Sequence, residues 1–246
     1  MDQTLIILII SFFVIALVYA SVGFGGGTSY LALLAVMQVN FEVMRPTALL
    51  CNIVVVTGGT WIFFKEGKLD LKKSWPFLAA SIPAAFLGGF WKIGEGPFFI
   101  ILGTLLIIAA VLLWFQGSES ITHRDASPVL TAGLGGGVGF LSGLVSIGGG
   151  IFLSPLLHLI KWDEAKKISA LASMFILVNS ISGLAGQLAR SVAIPWAFVL
   201  PLLIAVLAGG QIGSRLGARR FNAIYIKRIT AVLILVAGVN ILKDHL

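Results

Sequence analysis

No aspartate, glutamate, lysine or arginine lies between Asp2 and Glu42. The same holds between Arg45 and Lys65, Lys73 and Lys92, Glu95 and Glu119, Asp125 and Lys161, Lys167 and Arg190, and Arg190 and Arg215. Most of these runs reach or exceed the roughly 18–20 apolar residues that cross a bilayer. A water-soluble domain carries about a quarter charged side chains, whereas this chain of 246 residues carries 11% and is 58% hydrophobic. Within hydrocarbon every backbone polar group must be satisfied inside the structure, which helices do segment by segment. The chain therefore reads as an all-α polytopic membrane protein.

The formal net charge of +7 belongs to the loops, as expected where Lys and Arg gather on the cytoplasmic side. No basic patch interleaved with aromatics points to nucleic acid. Cys51 is the single cysteine, so it has no internal disulfide partner and reads as a packing residue. The first apolar stretch lacks a basic flank and runs past signal-peptide length, so it reads as a retained helix.

Two landmarks repeat. GFGGGTSYLALL (23–34) aligns with SIGGGIFLSPLL (146–157), and WPFLAASIPAAFLGG (75–89) aligns with WAFVLPLLIAVLAGG (196–210). Between them Asn52 and Asn179 open matching uncharged segments, CNIVVVTGG and VNSISGLAG. The one long polar connector, GSESITHRDASP (117–128), divides the halves. Transporter repeats are often inverted in the membrane, and the basic residues test this. If each glycine-broken segment enters and returns to one face, the loops at 65–73, 117–127, 161–167 and 215–228 share a side. They hold thirteen basic residues, against four elsewhere (Arg45, Lys92, Arg190 and Lys243). If each broken segment crosses once, the split is ten to seven. The positive-inside rule selects the hairpin arrangement. The expectation is two inverted-topology repeats, 1–116 and 129–246, joined by a cytoplasmic connector at 117–128. Each repeat is a glycine-tipped re-entrant helical hairpin followed by three transmembrane helices, with both termini outside. The return arms, 28–41 and 151–160, cover roughly 15–21 Å at the α-helical rise, short of a ~30 Å core. The glycine tips should therefore lie near mid-membrane.

A helix that starts inside the membrane presents free N–H groups and the positive end of its dipole. Glycine allows a tight turn and a close approach to a ligand. Two facing starts make an anion site without a buried cation. The candidate binding residues are Gly25, Gly26, Gly27, Thr28 and Ser29 at the first tip and Ser146, Gly148, Gly149 and Gly150 at the second. Asn52, Asn179 and Gln187 offer amide donors from the next helices, and Thr47 and Ser173 lie near one turn from the asparagines. Asn52 and Asn179 fit substrate contact and interhelical hydrogen bonding equally well, and Gln187 and Gln211 also suit a structural role. Gly135, Gly139 and Gly143, and Gly209, Gly213 and Gly217, recur every four residues and read as close helix–helix contacts.

Every Asp and Glu falls in a loop or at a helix end, so no embedded carboxylate suggests a proton relay. His158 sits late in the second return arm and reads as an interface residue. No Walker A sequence is present. GLGGGVG (133–139) places Val138 where a dinucleotide fingerprint needs glycine. An intramembrane serine protease would need a base within reach of Ser142 or Ser182, and His158 is the sole membrane candidate. A non-transporting scaffold is the third alternative. No enzyme activity, cofactor or metal is expected.

The segments SVGFGGG (21–27) and SIGGGIFLSP (146–155), with the two-half layout and the length, resemble the sulfite exporter TauE/SafE family of membrane permeases. The resemblance implies transport of a small sulfur-containing anion, such as sulfite, a sulfonate, sulfoacetate or thiosulfate, across the bacterial inner membrane. One departure is that Pro155 of the second motif is Ala32 in the first half, so the two tips are not chemically equivalent. The implied mechanism is alternating access around a central site, with export favoured by about 2.3 kcal/mol per charge per 100 mV of membrane potential. An anion channel or an uptake permease of the same fold is the alternative. The expected partners are the small anionic substrate and the lipid bilayer, with no nucleic acid, and a homodimer stays open as an oligomeric state.

Overall fold

The computed structural model describes residues 3–21, 23–115, 127–217 and 223–245. Among them are ten helices and no strand: α1 (Gln3–Ala20), α2 (Gly27–Val36), α3 (Phe41–Lys65), α4 (Leu71–Phe90), α5 (Glu95–Trp114), α6 (Pro128–Val145), α7 (Gly150–Leu159), α8 (Ala165–Leu188), α9 (Trp196–Gly217) and α10 (Ala223–His245). The connector expected at 117–128 lies outside the described residues up to its last two. Several starts follow from local chemistry. Asn40 accepts the Glu42 N–H at 2.9 Å and Asp70 accepts the Lys73 N–H at 3.1 Å. Ser127 accepts the Leu130 N–H at 3.2 Å with Pro128 opening α6. These are the oxygen caps that orphan N–H groups require.

Among the described residues six helices are long and apolar enough to cross a membrane: α1, α3, α5, α6, α8 and α9. The helices α4 and α10, expected as the second crossing of the first repeat and the third of the second, are not among them. The apolar surface agrees with a lipid surround. Ile10, Val14, Ile108, Val111, Ile204 and Leu233 are exposed along helix walls. Trp61, Trp75, Trp91, Trp114 and Trp196 are exposed at or near helix ends, where amphipathic rings sit at the headgroup level. Cys51 is a free, buried thiol in the core, as its apolar run implied.

The helix pairings have a regular order. α4 packs on α6 and α1 on α9; α4 also meets α8, and α3 meets α9. α3 lies against α8 and α5 against α10. Exchanging α1–α5 for α6–α10 converts each of these pairings into another in the same set or into itself. The four-residue glycine spacing makes the tightest pairs. A β-carbon on Gly135, Gly139 or Gly143 would overlap the backbone of Phe77, Ser81 or Ala85 on α4. One on Gly209 or Gly213 would overlap Phe13 or Leu17 on α1. The surroundings of Gly217 lie outside the described residues.

The hairpins differ from the expectation in one respect. The return helices α2 and α7 have 10 residues each, but the entering helices α1 and α6 have 18 each. At the α-helical rise these are about 15 Å and 27 Å. Each entering helix is thus long enough to span, and its corner passes beyond mid-height. Gly23 lies against Ser169, near the start of α8, and Phe63, near the end of α3. The Leu144 carbonyl accepts from Arg45, near the start of α3, and Ser146 from Gln187, near the end of α8. The glycine triplets then climb back towards the middle of α3 and α8.

Candidate functional site

Both return helices begin on a left-handed glycine. Gly26 has φ +89° and Gly149 has φ +81°, and neither N-cap makes a side-chain hydrogen bond. A side chain is strained at such a φ, and the first N–H groups of α2 and α7 are left without an intrahelical acceptor. Packing forbids one as well. A β-carbon on Gly26 would lie 2.9 Å from the Tyr30 ring, and one on Gly149 would lie 2.9 Å from the Phe175 ring.

The two tips meet at one side chain. Asn52 Nδ2 donates to the Ile147 carbonyl of the second tip at 2.9 Å. The β-carbon position of Gly27 lies 2.5 Å from Asn52 Nδ2 and 2.7 Å from the Ile147 oxygen. That of Gly25 lies 2.5 Å from Asn52 Oδ1 and that of Gly148 lies 2.9 Å from Nδ2. The Ile176 side chain of α8 completes the junction, touching the positions of Gly25, Gly148 and Gly150. Asn52 is fully buried, and its Oδ1 has no hydrogen-bond partner. The expected amide donor therefore spends its N–H on the second tip and offers an acceptor to the first.

The other candidates divide. Asn179 is fully buried with neither amide atom partnered. Thr28 and Ser29 turn to Tyr19 of α1, whose hydroxyl lies 2.6 Å from Ser29 Oγ and 3.4 Å from Thr28 Oγ1. Gln187 Nε2 donates to Ser146 Oγ at 2.9 Å, which ties α8 to the corner of the second tip. Ser173 shares a 2.9 Å hydrogen bond with Thr60, joining α8 to α3. Thr47 bonds back to the Val43 carbonyl of its own helix at 2.6 Å. Gly25, Gly27, Asn52 and Gly148 are thus drawn together, while Thr28, Ser29, Ser146, Gln187 and Ser173 hold the frame. Ser182, considered as a nucleophile, donates to the Ile82 carbonyl at 2.6 Å.

Three residues of this region escaped the sequence reading. Ser142 and Ser180 are fully buried with unpartnered hydroxyls. Ser180 Oγ lies 3.0 Å from the β-carbon position of Gly148, and Ser142 Cβ lies 3.0 Å from that of Gly149. The signal for Ser180 was its place directly after Asn179; Ser142 stood out as a nucleophile and not as a ligand. The third is Arg45, counted above with the loops. It is 4% exposed, donates to the Leu144 carbonyl at 3.0 Å, and lies 5.7 and 5.6 Å from the Phe41 and Phe98 ring centroids. A cation at the last turn of α6 opposes the negative end of that helix dipole. Near it is an open cavity of about 570 Å³, lined in part by Asn40, Glu42, Val43, Arg190 and Pro195.

The base of the second hairpin is fixed by charge. Lys73 and Lys167 approach Asp163 at 2.9 and 3.2 Å, and Lys73 also donates to the Trp162 carbonyl at 3.0 Å. Burial alone would raise the Asp163 carboxyl, but hydrogen bonds from Lys73, the Glu164 N–H and Lys167 outweigh it and hold it below the usual carboxylate range.

A family described as "Sulfite exporter TauE/SafE" matches residues 8–241. The "Probable membrane transporter protein y4hK" of Sinorhizobium fredii is 36% identical over 251 residues, covering 98% of this chain and 100% of that protein. The "Probable membrane transporter protein YunE" of Bacillus subtilis is 24% identical over 266 residues, covering 95% and 96%. No solved structure matches.

Proposed function

The chain belongs to the sulfite exporter TauE/SafE family, and from that premise we propose that it exports a small sulfur-containing anion, such as sulfite, a sulfonate or thiosulfate, by alternating access around its two glycine tips. One observation carries this reading: α2 and α7 both begin in the protein interior, uncapped, and Asn52 meets Gly27 at the start of α2 and Ile147 and Gly148 just before α7. Each start contributes roughly half a positive charge, and free N–H groups suit a compact oxyanion. Their low-dielectric surroundings strengthen that attraction.

The tips touch in this conformation, and the polar atoms around them are buried. Binding and release therefore require a tip to move. The second hairpin is tied to α3, α4 and α8 by Arg45, Asn52, Lys73 and Gln187. In the first hairpin Tyr19 ties α1 to Thr28 and Ser29 of α2. The exchange symmetry of the helix pairings and the charge asymmetry of the loops support an inverted repeat in the bacterial inner membrane, with both termini outside. A membrane potential that is negative inside drives an anion outward without a proton relay.

The test is flux of labelled sulfite or thiosulfate in proteoliposomes. Gly26→Leu and Gly149→Leu should insert normally and abolish flux. Wild-type rates in either correctly inserted variant would contradict the tip-site mechanism.

A further inference from the structure

We infer that the cargo is an oxyanion that carries an O–H or N–H donor of its own, received by Asn52 Oδ1, and that Ser142 and Ser180 bind it beside the second tip. This inference rests on the tip-site reading above. The bond from Asn52 Nδ2 to the Ile147 carbonyl fixes which end of the amide is the nitrogen. Nδ2 also lies against Gly27 at the start of α2, while Oδ1 lies against Gly25 two residues earlier, and no described residue donates to it. The donors of the first tip thus sit beside a stranded acceptor. A fully deprotonated oxyanion has only acceptors and would set lone pair against lone pair there. A halide likewise has no proton to give.

The opposite wall is complementary. The hydroxyls of Ser142 and Ser180 are fully buried and unpartnered. Ser142 and Ser180 flank Gly149 and Gly148. A hydroxyl can turn its O–H towards an anion, and a neutral site avoids the cost of burying an unpaired cation. Buried polar groups rarely go unsatisfied, and here such groups gather around two helix starts. A monoanion with acceptors on one side and one donor on the other meets them together.

The test is equilibrium binding to the purified full-length protein. One contrast pairs 2-hydroxyethanesulfonate with 1-propanesulfonate, which match in charge and heavy-atom count. The other follows sulfite across the pH range in which hydrogensulfite gives way to the dianion. The hydroxylated sulfonate should bind at least about tenfold tighter, because its analogue leaves a buried acceptor unpaired. Sulfite affinity should fall about tenfold per pH unit once the dianion predominates, as expected when only the protonated form binds. Asn52→Leu should bring the two sulfonates together, and Ser180→Ala should weaken both alike. If Asn52→Leu does not fold, the wild-type contrasts decide alone. Failure of either contrast in a ligand that binds overturns the inference and leaves the tip site standing. Binding by none of these anions overturns the tip site and the inference with it.

Discussion

Asn52 reaches both tips because it lies near the middle of α3, level with the triplets that climb back from each corner. Replacing it with alanine removes the bond to the Ile147 carbonyl and strands that oxygen. A stranded buried acceptor costs about 1–3 kcal/mol, and in a chain of this size each kcal/mol shifts Tm by about 2–4 °C. Asn52→Ala should therefore lower Tm by several degrees in a thermal melt, and weaken anion binding more than that loss accounts for. An unchanged Tm would mean that the tips do not depend on this bridge. Asp163 makes a pH prediction. Its folded pKa is depressed, so its contribution is present above the unfolded carboxylate value and disappears as pH falls through the folded value. Melts from neutral to acid pH should show wild type losing an increment that Asp163→Asn lacks throughout. Parallel curves for the two proteins would contradict this role.

At the scale of elements, the glycine stripes govern how closely helices approach. Gly143→Ala places a methyl group into the Ala85 backbone, and overpacking of this kind costs about 1–3 kcal/mol. Gly133 on the same helix has nothing within 4 Å of its β-carbon position, so Gly133→Ala should be neutral or mildly stabilising. Melts of the two variants side by side test whether contact, and not glycine content, sets the stability of α6. These stripes were legible in the sequence because a period of four marks one helix face. The broken helices were legible because the triplets at 25–27 and 148–150 recur at matched positions in the two halves, whereas the triplet at 135–137 lies inside an unbroken α6. Other features were not. The lengths of α1 and α6 hid in one uninterrupted apolar run, where nothing marks how far a helix goes before it turns. Arg45 was grouped with the loops because a charge count does not register that α3 has already begun at Phe41. The matched asparagines drew attention to Asn52, but which end of its amide is left without a partner depends on the Ile147 carbonyl, 95 residues away. Ser142 and Ser180 matter only because α6, α7 and α8 bring them against Gly149 and Gly148.

Across the whole molecule, the exchangeable helix pairings, exposed tryptophans and segregated loops make one consistent arrangement. Glu66 and Lys92 are exposed at opposite ends of α4, just outside the helix. In cells carrying Glu66→Cys or Lys92→Cys, an impermeant thiol reagent should label the second from outside and the first only after permeabilisation; the native Cys51 is buried and should stay silent. Equal labelling of both from outside would exclude the inverted arrangement. The central claim is that two uncapped helix starts hold an anion where they meet. Its most direct test is thermal stabilisation of the purified protein by sulfite, thiosulfate, sulfoacetate, sulfate, phosphate and chloride at matched ionic strength, in wild type and in Gly27→Ala. A β-carbon there would press on both Asn52 and the Ile147 carbonyl, filling the junction with the smallest possible plug. Selective stabilisation by a sulfur oxyanion in wild type, lost in a folded Gly27→Ala protein, is the predicted result. Stabilisation that survives this substitution, or that no anion produces selectively, would contradict the account.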